Sequence, residues 1–115
     1  DVETVVISPY DGDETPDLSS FDGIAFIGSS VEWNTDDERV APLAVVMRAG
    51  FAAGIPTIGS CNGMKLAASV LGGPSSASPN GREDGLVGDI RLTDAGRDQP
   101  MMVGQDNGYA VPCTQ

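Results

Sequence analysis

The sequence predicts an α/β fold with parallel central strands, and three observations carry that prediction. Short apolar runs occur without the polar alternation of a half-wet strand, as expected where a strand is covered on both faces. Between them lie stretches whose apolar residues recur at helical spacing. Strand, helix, strand, helix in that order is the pattern of a parallel sheet with crossover helices.

The first run, Thr4-Val5-Val6-Ile7-Ser8, is β-branched and predicts a buried strand ended by Pro9. Residues 11–17 are polar and turn-rich, hence a surface loop. Ile24-Ala25-Phe26-Ile27 is the second strand, stopped by Gly28-Ser29-Ser30. Thr35 and Glu38 fit a capping box, with the acids of residues 36–38 in the first helical turn. Val40, Leu43, Met47 and Phe51 then continue at helical spacing, and Gly54 marks the stop. Pro42 is expected early enough in this helix for its missing donor to cost little.

Ile55-Pro56-Thr57-Ile58-Gly59 predicts a third strand, and residues 64–71 a second helix ended by Gly72-Gly73-Pro74. Residues 75–81 read as a loop. Alternation over Leu86, Gly88, Ile90 and Leu92 predicts a half-buried strand, antiparallel or at an edge. Residues 108–111 form a last short strand. The three apolar runs at residues 4–8, 24–27 and 55–59 are expected in one mainly parallel sheet, and the 115 residues as a single domain.

Composition narrows the functions. Seventeen acids against six bases give a net charge of −11, which repels phosphate backbones and argues against nucleic acid as a partner. No apolar run approaches the roughly 18 residues of a membrane span. No secretory leader is expected either. Histidine is absent, which removes the commonest general base and the commonest nitrogen ligand of zinc, and no metal site is expected. The two cysteines make no disulfide framework, so a reducing, cytoplasmic compartment is expected.

One motif carries chemistry. Gly59-Ser60-Cys61-Asn62-Gly63 is G-x-C-x-G between a predicted strand and a predicted helix, the cysteine form of a nucleophile elbow. A sharp strand-to-helix turn puts the nucleophile in a strained conformation, and glycines two before and two after it avoid clashes. The thiol then stands at a helix N-terminus, which favours a thiolate. The Asn62 N–H is placed to meet an oxyanion forming on a carbonyl. Cys113 has no such context and is expected to be an incidental buried thiol.

These residues bring a resemblance into view. Asp22-Gly23-Ile24-Ala25-Phe26-Ile27-Gly28-Ser29-Ser30 resembles the strand-and-glycine segment of class I glutamine amidotransferases. Residues 54–67 are similar to their nucleophile segment, and Leu71-Gly72-Gly73 to its ending. Residues 80–85, 90–93 and 96–102 are similar to the segments that follow. The resemblance implies a flavodoxin-like three-layer α/β fold, truncated here, with the first βα unit and a C-terminal part missing. It makes residues 1–115 a partial domain of that family.

The implied chemistry is hydrolysis of the glutamine side-chain amide through a cysteine thioester, releasing ammonia to a synthase domain or subunit as partner. No cofactor is implied. The nucleophile carries over to Cys61, and the oxyanion-hole amides to Asn62 and the Gly28-Ser29 turn. The family's second glycine in that turn is here Ser29. The substrate-binding Gln of the family is replaced by Lys65, and its catalytic His by Gln115, whose amide cannot accept a proton near neutral pH. The resemblance therefore also implies that this chain by itself is inactive. Two other readings stay open: a catalytically dead relative serving as a binding module, and another cysteine-elbow protein of hydrolase or thiol-sensor type.

Overall fold

The computed structural model describes residues 1–29, 31, 33–82 and 84–114. The chain is a mixed α/β protein that divides into two compact units, Asp1–Ser75 and Ser76–Gln115.

In the first unit, β1 (Ile24–Phe26) pairs in parallel with β2 (Thr57–Gly59), in the register Ile24 to Thr57, Ala25 to Ile58 and Phe26 to Gly59. The ladder extends at both ends: the Ile24 N–H donates to the Pro56 carbonyl and the Ser60 N–H to the Phe26 carbonyl, each at 2.9 Å. Pro56 has no donor of its own, so β2 starts later than the predicted residue 55. The crossover between the strands contains α1 (Ala41–Ala52), and α2 (Asn62–Val70) follows β2 directly.

The predicted strand over residues 4–8 does not form. Among the described residues this sheet has two strands, and residues 4–8 belong to no ladder. The physical reason is separation: Val6, Ile7 and Ser8 line one side of a groove whose lining also includes Ile24–Ile27, so among the described residues open space and not a ladder lies between them. Their place in the chain is set instead by Ser8. Its N–H and hydroxyl donate to the carboxylates of Asp13 at 2.7 Å and Asp11 at 2.6 Å, leading into a 3₁₀ turn over Pro9–Asp11.

The capping box at Thr35 is also corrected. Residues 34–40 form successive turns, and α1 begins only at Ala41, with Val40 in the cap position and no side-chain cap. Pro42 is responsible. It has no N–H to bond the Glu38 carbonyl, so the first i to i−4 bond runs from Ala44 to Val40. The acids of residues 36–38 thus precede the helix. Asp37 instead closes a local turn by accepting the Arg39 N–H at 2.9 Å. The predicted apolar stripe survives the shift: Val40 and Met47 are buried, with Leu43 and Phe51 half-buried. Gly54, at φ +69°, supplies the left-handed residue after the helix end.

The core of this unit is Phe26, Val40, Val46, Met47 and Leu66, flanked by Ile24, Trp33, Leu43 and Phe51. Gly50 lets α1 approach β1, since a Cβ there would lie 2.9 Å from Cδ1 of Ile24.

In the second unit, β3 (Asp84–Ile90) pairs antiparallel with β4 (Tyr109–Thr114) around a bulge between Val87 and Ile90, where Asp89 takes φ +56°. A one-turn helix, α3 (Asp94–Arg97), is capped by the Thr93 hydroxyl, which accepts the Gly96 N–H at 3.0 Å. The antiparallel pairing is as expected. The half-burial is not: β3 is exposed from end to end except at Ile90, and no described residue of this unit is buried. Alternation records which residues share a face, whereas burial needs a layer to cover that face.

Candidate functional site

The site is built at the junction of β2 and α2. The backbone of Cys61 there takes φ 55° and ψ −117°, a conformation natural to glycine and strained for any residue with a Cβ. Among the described residues only Cys61 and Asp89 have a positive φ without being glycine. The strain comes from the geometry of the junction. The chain leaves β2 at Gly59 and enters α2 at Asn62, so the reversal falls on Ser60 and Cys61.

Three glycines make the reversal possible. A Cβ on Gly59 would sit 2.6 Å from the Gly63 carbonyl oxygen, because the two turns of chain cross backbone to backbone. A Cβ on Gly63 would collide with the carbonyl of Phe26, where α2 crosses the end of β1. A Cβ on Gly28 would lie 2.9 Å from Cβ and 3.1 Å from Sγ of Cys61. The loop after β1 therefore presses against the thiol from the neighbouring strand. Gly28 and Cys61 are 33 positions apart in sequence, and the parallel pairing of β1 with β2 brings them together.

Cys61 is half-buried and caps α2 at its N-terminus. Its carbonyl accepts the Met64 N–H at 3.0 Å and the Lys65 N–H at 3.3 Å. Asn62 is the first helical residue and is 6% exposed, and its N–H belongs to the set a helix leaves without an intrahelical acceptor. Ser29 adjoins Gly28, and its hydroxyl accepts the Val31 N–H at 3.0 Å, which shapes the loop beside the thiol. Lys65 is half-buried one helical turn after Cys61, on the same side of α2. It is the one lysine of the chain.

Gln115 lies outside the described residues, as does Ser30 of the turn after β1. Cys113 is half-buried in β4, opposite Gly85, in a regular strand with none of the elbow's backbone features. Among the described residues no group of three or more His, Cys, Asp or Glu is arranged to hold a metal ion. No helix among them is long and apolar enough to cross a membrane.

No family model, curated protein or solved structure matches the chain. The function is therefore argued from the geometry.

The geometry offers a thiol on a strained turn, held between a helix N-terminus and a glycine loop. Such an arrangement can attack a carbonyl carbon and surround the resulting oxyanion with backbone N–H groups. One member of that arrangement was not derivable from the G-x-C-x-G motif itself, namely the Gly28 loop. Its signal in the sequence was the small-residue stop after the second apolar run.

Proposed function

We propose that the chain carries the nucleophile half of a class I glutamine amidotransferase-like site. Cys61 attacks the carboxamide carbon, the C–N bond breaks, and a thioester remains on sulfur as ammonia leaves. The N–H groups of Asn62 and of the Gly28-Ser29 turn hold the oxyanion, and Lys65 stands where the substrate is bound. The observation that carries this reading is the conformation of Cys61, φ 55° and ψ −117°, together with a Gly28 that could not bear a Cβ against it. A structural cysteine has no need of either feature.

No histidine is present to take up the thiol proton, so the chain by itself turns glutamine over at background rates. A general base is worth roughly 10²–10⁴-fold, and Gln115→His alone does not recover all of it with Lys65 in the substrate position. The reading implies a cytoplasmic protein, a flavodoxin-like parent fold and an ammonia-accepting synthase as partner.

The experiment is covalent labelling followed by peptide mapping. Brief iodoacetamide treatment is expected to modify Cys61 ahead of Cys113. A glutamine analogue with a chloroketone in place of the side-chain amide is expected to modify Cys61 alone, with free glutamine protecting it. Preferential labelling of Cys113 would remove the elbow reading. Labelling of Cys61 without glutamine protection would favour a cysteine elbow of hydrolase or sensor type. Robust ammonia release by the unaltered chain would show that a base other than histidine serves the site.

A further inference from the structure

Three of the chain's four asparagines are followed by glycine, at Asn62-Gly63, Asn80-Gly81 and Asn107-Gly108. An Asn-Gly pair rearranges without any enzyme. The amide nitrogen of the glycine loses its proton to hydroxide and attacks the asparagine Cγ. The Cγ–Nδ2 bond breaks, ammonia leaves, and a five-membered imide remains. Water then opens the ring at one of its two carbonyls, giving aspartate or isoaspartate. Glycine favours the attack because it has no side chain to block the approach. The reaction still needs that nitrogen released from its hydrogen bond, and the asparagine backbone turned to the ψ of a closed ring.

The fold sets these demands differently at the three pairs. At Asn62 both conflict with α2. The Gly63 N–H donates to the Ser60 carbonyl at 2.9 Å, and both Asn62 and Gly63 are buried in the first helical turn. The helical ψ, about −42°, is not that of the ring. Gly63 also lies against the Phe26 carbonyl, which leaves it no room to shift. Asn107 is exposed, yet both of its reacting groups are engaged. The Gly108 N–H donates to the Ile90 carbonyl at 2.8 Å, and Asn107 Oδ1 accepts the Leu92 N–H at 2.8 Å. Closing the ring there means opening the end of the β3–β4 ladder, where Ile90 pairs with Tyr109.

Asn80 is placed otherwise. Asn80 and Gly81 are exposed, in a segment over residues 73–82 that contains neither helix nor strand. The Gly81 N–H donates to the Ser78 carbonyl at 3.1 Å, closing a single β-turn. That turn opens without disturbing α2 or the ladder, and local opening of a loop costs far less than opening a helix or a sheet.

We propose that Asn80-Gly81 is the site at which the folded chain deamidates, with Asn62 and Asn107 held back by the fold. The elbow thus keeps its own Asn-Gly intact. The new carboxylate arises two residues before Arg82, whose Nε donates to Asp84 at 2.8 Å where β3 begins. The inference does not depend on the chemistry of Cys61.

Incubation of the whole chain for days in mildly alkaline buffer at body temperature tests this. Peptide mapping by mass spectrometry follows each asparagine, and an isoaspartyl methyltransferase reports the isoaspartate. Asn80 is expected to convert at least about tenfold faster than Asn62 and Asn107, which corresponds to about 1.4 kcal/mol of extra opening free energy at the two protected pairs. In guanidinium chloride the three are expected to convert at similar rates, which assigns the difference to the fold. Circular dichroism checks that the first sample is folded and the second is not. Asn80→Ser is expected to remove the early product from the folded chain. Conversion of Asn62 or Asn107 as fast as Asn80 in the folded chain would overturn the proposal. So would a folded chain in which Asn80 stays intact while the unfolded chain converts, or a lead for Asn80 that persists undiminished in guanidinium chloride.

Discussion

Replacing Cys61 with Gly and with Ala separates the strain at the elbow from every other role of the side chain. At φ 55° and ψ −117° a residue with a Cβ carries about 1–3 kcal/mol of backbone strain, and glycine carries none. Glycine gives back about 0.4–1 kcal/mol through the larger entropy of its unfolded chain. Cys61→Ala loses the sulfur but keeps the strain, whereas Cys61→Gly loses both. The expected difference is about 1–2 kcal/mol in favour of Gly, the reverse of the usual order at a helix terminus. The chain's one tryptophan, Trp33, is half-buried against the core of the same unit, so its fluorescence follows unfolding of this region in urea. With a slope of roughly 2 kcal/mol per molar, the midpoint for Cys61→Gly should lie about 0.5–1 M above that for Cys61→Ala. An equal or higher midpoint for Cys61→Ala would refute the strained elbow, and with it the argument that the turn is shaped for a nucleophile.

Two further predictions follow from named contacts. Gly28→Ala is expected to cost about 1–3 kcal/mol through overpacking against Cys61, and most of that cost should vanish in a Cys61→Gly background, where the opposing Cβ and Sγ are gone. Equal costs in both backgrounds, measured by the same urea titration, would mean that the β1 loop does not press on the thiol. The second prediction concerns Asp17, whose carboxyl is held below the ordinary carboxylate range by the Ser19 hydroxyl and then by the Ser19 N–H. The folded group therefore binds its proton at lower pH than the unfolded one. Its capping of the turn Leu18–Ser20 is complete above the ordinary carboxylate range and is lost as pH falls through Asp17's own lower value. An NMR titration should show the Ser19 amide moving in that acidic window and staying still in Asp17→Asn.

Local signals read from the sequence were the ones that do not depend on a partner element. The apolar runs at Ile24–Phe26 and Thr57–Gly59, the stripe along α1 and the glycine stops at Gly54 and Gly72 are set by side-chain chemistry and by φ, both properties of a few neighbouring residues. The elbow was legible for the same reason, since G-x-C-x-G between a strand and a helix specifies a turn through its own sterics. Even so, the start of α1 escaped, because a good capping pattern at Thr35 was overridden by the donor that Pro42 lacks.

Tertiary structure alone decided the rest. A β-branched run such as residues 4–8 specifies a willingness to be a strand, but a strand exists only beside another backbone, and among the described residues a groove, not a ladder, lies between this run and β1. Alternation along β3 likewise says which side chains share a face and not whether a layer covers them. The contact between Gly28 and Cys61 joins residues far apart in sequence, and only the pairing of β1 with β2 sets them side by side. Sequence determines local conformation through short-range sterics. Pairing, burial and the assembly of a site are long-range, and they are settled by which backbones and side chains the chain brings together when it folds.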